Sequence, residues 1–336
     1  MDVVHFEEKY YEKLLAFSKK LWPEKPEEYL KFRLFDFPED NKDVENNLLV
    51  INDDGEIIGC ILMFVTKARI YGKEVKVFWG HDLIVEERYR GEASLYLMVE
   101  SGEIKPMFGF GASEINKRIQ KELGTPSAGW AKLYLIFNFW TFKAPLIKLK
   151  ILSCKKKDNL KLPQTLIAGK HKFEKVDSVK SLKIPENGYW SNSDMDIEFV
   201  RDEHFLDKRF FNNLTDYTLY KLENNETNKP DECYFVVRSS IEGGFPVLSV
   251  VDFRFNIQKP EQYKAILKAA SKLGRSNRFP LVTFRTSVDY KKIDFFPFVC
   301  RTGKAEIITT NFEYEGSLRF FVTNADSDSD FLSLYK

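Results

Sequence analysis

Two runs of this chain, 57–70 and 74–85, are dense in β-branched, aliphatic and aromatic residues, and only Tyr71-Gly72-Lys73 joins them. Both runs are far longer than the ordinary strand of about five or six residues. A glycine between two such runs signals a tight hairpin. Long antiparallel strands must bury at least one face, so the rest of the chain has to pack against a sheet and an all-helical bundle is excluded. Around the hairpin, apolar residues recurring every three or four positions predict a helix over 10–22, broken by Pro23 and Pro26. A short helix over 27–35 then leads to the strand Leu48-Leu49-Val50-Ile51, closed by the Asp53-Asp54-Gly55 turn. After the hairpin come a loop containing Gly91, a helix over about 93–100, a strand over 106–110, and a helix over 113–123 stopped by Gly124 and Pro126.

The chain has 336 residues, more than one hydrophobic core usually supports, and its 43% hydrophobic content with 30 Phe and 15 Tyr is enough for two cores. From about residue 196 the same order of elements appears to begin again, and three segments match at nearly the same spacing. Tyr29-Leu30-Lys31-Phe32-Arg33-Leu34-Phe35-Asp36 matches Phe205-Leu206-Asp207-Lys208-Arg209-Phe210-Phe211-Asn212. The strands around Cys60 and Cys233 superpose so that His81-Asp82 meets Asp252, and the segment 106–113 matches 280–287. The expected fold class is therefore α/β, with two tandem domains, each a mixed, mostly antiparallel central sheet flanked by helices. The expected boundaries are 1–145 for the first domain, 146–172 for a basic linker and 173–336 for the second domain.

Composition removes several classes of function. The 51 basic and 50 acidic side chains nearly cancel, so no overall field gathers nucleic acid. Cys60, Cys154, Cys233 and Cys300 lie far apart, without zinc-site pairing or the density of a disulfide framework, and read as reduced thiols; no metal is expected. The first residues carry acids where a secretory signal needs a basic and then an apolar region, which points to a cytoplasmic protein. The apolar stretch 130–152 is interrupted by Lys132, Lys143, Lys148 and Lys150 and falls short of the roughly 20 apolar residues of a spanning helix. Ten lysines and a single acid, Asp158, lie between Lys132 and Lys172. They read as a solvated connector, or as a basic rim that attracts an anionic substrate or a membrane surface. Asp326-Ser327-Asp328-Ser329-Asp330 reads as a solvated acidic tail.

The sharpest local motif is His81-Asp82-Leu83-Ile84-Val85-Glu86-Glu87-Arg88-Tyr89-Arg90-Gly91-Glu92-Ala93-Ser94, a strand that turns directly into a helix. The first N–H groups of a helix have no intrahelical partner and sit at the positive end of its dipole, an arrangement suited to phosphate. Small residues such as Gly91 and Ala93 let a phosphate approach the backbone, and Arg88 and Arg90 add positive charge. The pattern Arg88-x-x-Gly91-x-Ala93 resembles the pyrophosphate loop of the GCN5-related N-acetyltransferases (GNAT), and Phe108-Gly109-Phe110-Gly111-Ala112-Ser113 resembles the strand and helix start that follow it there.

The resemblance implies two GNAT-like domains, the first holding acetyl-CoA or another acyl-CoA. Backbone groups of Leu83 and Val85 would pair with the pantetheine arm. The segment Arg88, Tyr89, Arg90, Gly91, Glu92, Ala93 and Ser94 would wrap the pyrophosphate, with Ser113 nearby. His81 or Asp82 would be the general base; they point to opposite faces of a regular strand, so at most one faces the acceptor. The sequence departs from the family at Leu95, which replaces a glycine, at Ser113, which replaces an asparagine, and at Gln120, which replaces the tyrosine that protonates the leaving thiolate; Tyr134 is the candidate substitute. The second copy runs from Asp252-Phe253-Arg254-Phe255 into Asn256-Ile257-Gln258-Lys259-Pro260-Glu261 without a glycine, so no coenzyme A is expected there. The implied function is acetyl-CoA-dependent N-acyl transfer to an amine of a small molecule or amino sugar, as in similar tandem proteins of bacterial surface-polysaccharide pathways. A Fem-like aminoacyl-tRNA-dependent transferase and a non-catalytic binding module are the alternatives.

Overall fold

A strand with no strong sequence signal opens the chain: Asp2–His5 (β1) pairs antiparallel with Leu48–Ile51 (β2), Val3 opposite Val50. The computed structural model describes residues 1–23, 26–104, 106–110, 118–119, 121–122, 124, 127–191, 195–212, 214–224, 229–288, 299–310 and 318–326. They form two compact units, the described residues of 1–130 with 305–310 and 318, and those of 131–304 with 319–326.

In the first unit, β2 pairs with Ile57–Ile70 (β3), which forms the expected hairpin with Lys73–Val85 (β4). The turn residues Tyr71 and Gly72 both have positive φ, 47° and 80°, as a two-residue turn matching the strand twist requires. Met107–Phe110 (β5) pairs in parallel with the middle of β4, and residues 307–310 pair antiparallel with β5. Tyr11–Leu21 (α1) and Glu27–Lys31 (α2) cover one face, where Leu14, Phe17, Leu30, Leu49, Cys60 and Leu62 pack together. Glu92–Ser101 (α3) covers the other, with Val50, Ile58, Ile61, Ala93 and Leu97 in its core. Residues 60 to 63 thus alternate between two buried faces, which is why β3 reads as a nearly continuous apolar run. The expected helix over 113–123 lies largely outside the described residues.

The second unit begins within Ser127–Phe137 (β6) and continues through Lys143–Lys148 (α4), Thr165–Ala168 (β7), His171–Val176 (β8), Ile197–Phe199 (β9), Glu203–Phe210 (α5), Thr218–Leu222 (β10), Cys233–Glu242 (β11), Phe245–Phe255 (β12), Pro260–Ser276 (α6), Leu281–Thr286 (β13), Val299–Thr310 (β14) and Phe320–Phe321 (β15). Its sheet order is β6-β13-β12-β11-β10-β8-β7, parallel only between β12 and β13; β9 and β15 pair separately. A long hairpin followed by a helix and a parallel strand therefore occurs in both units. The second hairpin also turns on two positive-φ residues, Gly243 and Gly244.

Three expectations are corrected. The break between units falls at residue 130 rather than 145, because residues 132–137 pair with β13 in the second unit, while 305–310 return to the first. Segment 146–172 is no connector: it supplies β7 and the start of β8, while Leu160, Leu162, Leu166 and Ala168 pack on the second core. Asp326, expected in a solvated tail, is 1% exposed, and residues 327–330 lie outside the described set.

Asp326 belongs to a buried charge network on the face of β12 opposite α6. Arg201 donates to Asp252 at 3.0 Å and to Asp326 at 2.6 Å, Arg254 donates to Asp252 at 2.9 Å, and the Tyr234 hydroxyl donates to Asp252 at 2.6 Å. Burial pushes the Asp252 carboxyl up, but Arg201 and Arg254 outweigh it and hold it down to about 2. A depressed carboxylate contributes stability that is complete above the unfolded-state value and is lost as pH falls through the folded one. The urea midpoint of the second unit's transition should therefore hold steady down to about pH 5 and fall as pH drops from about 4 towards 2. Asp252→Ala should lower stability at neutral pH by about 3–5 kcal/mol, since it leaves two arginines buried without their shared partner.

Candidate functional site

β4 and β5 pair only at Phe78/Met107, Trp79/Phe108 and Gly80/Gly109. Beyond Gly80, β4 continues to Val85 and, among the described residues, pairs there with β3 alone. The Glu86 N–H donates to the Ile58 carbonyl at 2.8 Å, so Glu86 faces β3. By the alternation of an antiparallel ladder, the backbone groups of Val85, and of Leu83 two positions before it, face the edge that β5 has left.

A bulge lies where β4 opens. Leu62 stands opposite His81 and Cys60 opposite Ile84, so Asp82 and Leu83 together face the single residue Ile61. Asp82 has φ 48°, a left-handed conformation that costs energy outside glycine and must be held by its surroundings. The side chain supplies the hold. Its carboxylate lies 3.8 Å from the Arg33 guanidinium, with side-chain exposures of 2% and 1%. Arg33 in turn donates to the Tyr29 hydroxyl at 3.0 Å. Arg33 sits in a wide turn continuing α2, where the Phe37 N–H reaches back to the Phe32 carbonyl at 2.9 Å. A cavity of about 10 Å³ between Leu14, Trp22, Tyr29 and Asp82 is large enough for about one water.

From Val85 the chain passes one turn, Glu87–Tyr89, into α3. Gly91 precedes the helix without any side-chain cap, and a Cβ built on it would meet no atom within 4 Å. The first amides of α3 therefore lack intrahelical acceptors and side-chain cover. Ala93 is small for a different reason from the expected one: it is fully buried against the sheet. The Glu92 carboxylate accepts from the Tyr96 hydroxyl at 2.9 Å, which draws it towards the second turn. Arg88 and Arg90 are exposed; Arg88 lies over the Tyr89 ring at 4.6 Å and donates to Glu86 at 3.3 Å. Glu86 also accepts from Lys20 at 2.5 Å, and these cations hold its carboxyl below the ordinary value. Leu95, the departure from the loop pattern, is 42% exposed.

One stretch of chain, 81–94, thus joins an open strand edge to an uncapped helix start. No protein-family profile and no curated protein sequence matches the chain. Solved structures do. A GCN5-related N-acetyltransferase from Anabaena variabilis is 12% identical, with a TM-score of 0.58 over 92% of this chain and 72% of its own. A probable N-acyltransferase from Enterococcus faecalis is 11% identical, with a TM-score of 0.58 over 92% and 71%. Saccharomyces cerevisiae N-myristoyltransferase with bound myristoyl-CoA is 12% identical, with a TM-score of 0.61 over 95% and 80%. The chain has the GCN5-related N-acetyltransferase fold.

Within that fold the candidate residues separate. Leu83, Val85 and the segment from Arg88 to Ser94 are contiguous along the opening of the first unit. Asp82 lies beside them, but its carboxylate is turned into the α1/α2 core. The His81 side chain, Ser113 and Gln120 lie outside the described residues. Tyr134 belongs to the second unit, where its ring stacks on Phe284 at 4.9 Å. In the second unit α6 opens with a different residue type, although it too has no side-chain cap. Pro260 occupies the first turn, the Asn256 N–H donates to Gln262 Oε1 at 3.0 Å, and Lys259 and Gln262 both donate to Glu232. Arg33 and Tyr29 were visible in the sequence as repeat positions, but a buried ion pair with a strand bulge has no local signature that would have given their role.

Two outcomes follow from this geometry. Gly91 has an ordinary φ of −67° and free space around it, so Gly91→Trp should leave thermal stability within about 2 °C of the parent by calorimetry. Arg33→Met should lower stability in urea denaturation by about 3 kcal/mol, because it removes the guanidinium beside a buried carboxylate that holds a left-handed residue.

Proposed function

We propose that this protein is a coenzyme A-dependent N-acyltransferase whose cofactor seat is the opening of the first unit. The observation that supports this best is the stretch 81–94, where unpaired backbone at Leu83 and Val85 leads within one turn to the uncapped amides after Gly91. The residues present fit the group: a flat amide-bearing arm pairs with a strand edge, and a pyrophosphate suits amides that no side chain covers. Bound there, coenzyme A would supply an activated acyl thioester. Val85 and Leu83 would orient the arm, and the amides of Gly91, Glu92 and Ser94 would take the phosphates, with Arg88 and Arg90 adding charge and the buried Ala93 seating the helix against the sheet.

Of the two residues considered for the base, Asp82 is committed to Arg33 and we assign it a positioning role: it fixes the bulge that keeps β4 open. His81, whose neutral imidazole accepts a proton near neutral pH, is the base we propose. Acetyl-CoA is the proposed donor and an amine of a small molecule or amino sugar the proposed acceptor. We further propose that the second unit is a duplicated GCN5-related domain without a cofactor seat. Its hairpin, helix and parallel strand support the duplication, and Pro260, which offers no N–H in the first turn of α6 where the first unit has a bare glycine before α3, supports the loss.

Calorimetric titration of acetyl-CoA into the parent and into Gly91→Trp tests the seat. Saturable binding by the parent, weakened at least about tenfold (1.4 kcal/mol) in the folded variant, is expected. No heat from the parent up to millimolar acetyl-CoA would overturn the cofactor assignment, and equal affinity in both proteins would move the seat elsewhere.

A further inference from the structure

Residues 138–157 of the second unit are arranged with their polarity inverted. The polar atoms of Asn138 and Thr141 point inward: the Asn138 amide donates to the Phe279 carbonyl at 3.0 Å and the Thr141 hydroxyl to the Pro280 carbonyl at 2.8 Å. The Trp140 indole N–H donates to the Arg275 carbonyl at 3.0 Å. The large apolar side chains point outward: Phe139 is 73% exposed, Phe142 51%, Leu149 69% and Ile151 65%. A segment with its hydrogen bonds satisfied and its hydrophobes in water presents its apolar side as an anchored surface.

Cations surround these hydrophobes. Lys148 and Lys150 alternate with Leu149 and Ile151 and are exposed. A shallow pocket of about 290 Å³ next to them is lined by Lys143, Lys155, Lys156, Lys157 and Arg278, with no carboxylate among its lining residues. Lys143 and Arg278 also lie against the Trp140 ring, at 4.4 and 5.5 Å. Burial lowers the Lys157 ammonium's proton affinity, and repulsion from Lys143 and Arg278 lowers it further, consistent with excess positive charge at this spot. None of the described helices is long and apolar enough to cross a membrane.

We propose that the surface formed by 139–157 and Arg278 docks on an anionic lipid bilayer, with Phe139, Phe142, Leu149 and Ile151 entering the interface and the lysines meeting the headgroups. A soluble phosphate would use the cations but leave four large hydrophobes in water. A bilayer surface uses both, since interfacial binding combines apolar burial with attraction to anionic lipid.

Flotation of the full chain with vesicles of phosphatidylcholine alone, or containing about one third phosphatidylserine, tests this. Binding is expected only to the anionic vesicles and should be weakened by salt, with each lysine near the surface contributing about fivefold. Lys148→Glu/Lys150→Glu and Phe139→Ser/Ile151→Ser alter only exposed side chains; each should lower partitioning at least about tenfold with an unchanged melting curve. Equal binding to neutral vesicles, no binding at low salt, or full binding by both folded variants would overturn the proposal. So would displacement by inorganic phosphate at constant ionic strength, which would mark a soluble-anion site. Self-association in sedimentation velocity that the apolar variant abolishes, without vesicle binding, would assign the surface to a second copy instead.

Discussion

The opening of β4 depends on a single left-handed residue kept in place by a buried charge. Asp82 takes a backbone conformation that an isolated strand would not hold, and the Arg33 guanidinium in the wide turn after α2 anchors its carboxylate. The extra residue it introduces shifts the register with β3 and bends the strand. Past that point, among the described residues, β4 continues without pairing to β5, and its edge on that side is left without a strand partner. Most sheets avoid such an edge. Its retention beside a helix start without a cap is what gives the first unit a place for an extended, phosphate-bearing ligand.

A buried aspartate beside a strand bulge recurs in the second unit, without the left-handed backbone and with a different outcome. β12 carries its own bulge opposite Val236 and Val237, and Asp252 at that bulge is buried between Arg201 and Arg254. There the carboxylate ties β12 to Asp326 and Thr323 near the end of the described chain, through Arg201 and the Thr323 hydroxyl, which donates to Asp252 at 2.5 Å. Such charges are costly to desolvate and stabilise only as a complete set, so they act mainly to fix geometry. The helix that follows begins with Pro260, whose nitrogen carries no hydrogen, while the Gln262 side chain beside it donates to Glu232. Two similar hairpins thus differ in the residue that opens the next helix, a bare glycine before α3 and a proline at the start of α6.

Much of the fold was legible in the sequence because it rests on local signals. The helix over 10–22, the strand at 48–51, the hairpin at Tyr71-Gly72 and the helix after Gly91 appear within a residue or two of their expected bounds. The glycine before α3 marked the uncapped start. Local reading failed where partners are distant in sequence. β1 is four residues of weak pattern that exist as a strand because β2 lies beside them, and the lysine-rich 146–172 looked like a connector because its inward residues are few among many outward charges.

The sequence by itself determined the helix over 10–22, the strand at 48–51, the long hairpin through Tyr71-Gly72 and the helix that begins after a bare glycine, because periodicity and backbone freedom are properties of neighbouring residues. Tertiary structure alone decided that Asp82 serves the bulge rather than solvent, that Ala93 is small to fit the core, that Asp326 is buried, and that residues 305–310 return to the first unit. Each of these is set by a group far away along the chain, and the energy of a buried ion pair or a strand pairing depends on distance in space, to which sequence spacing gives no guide.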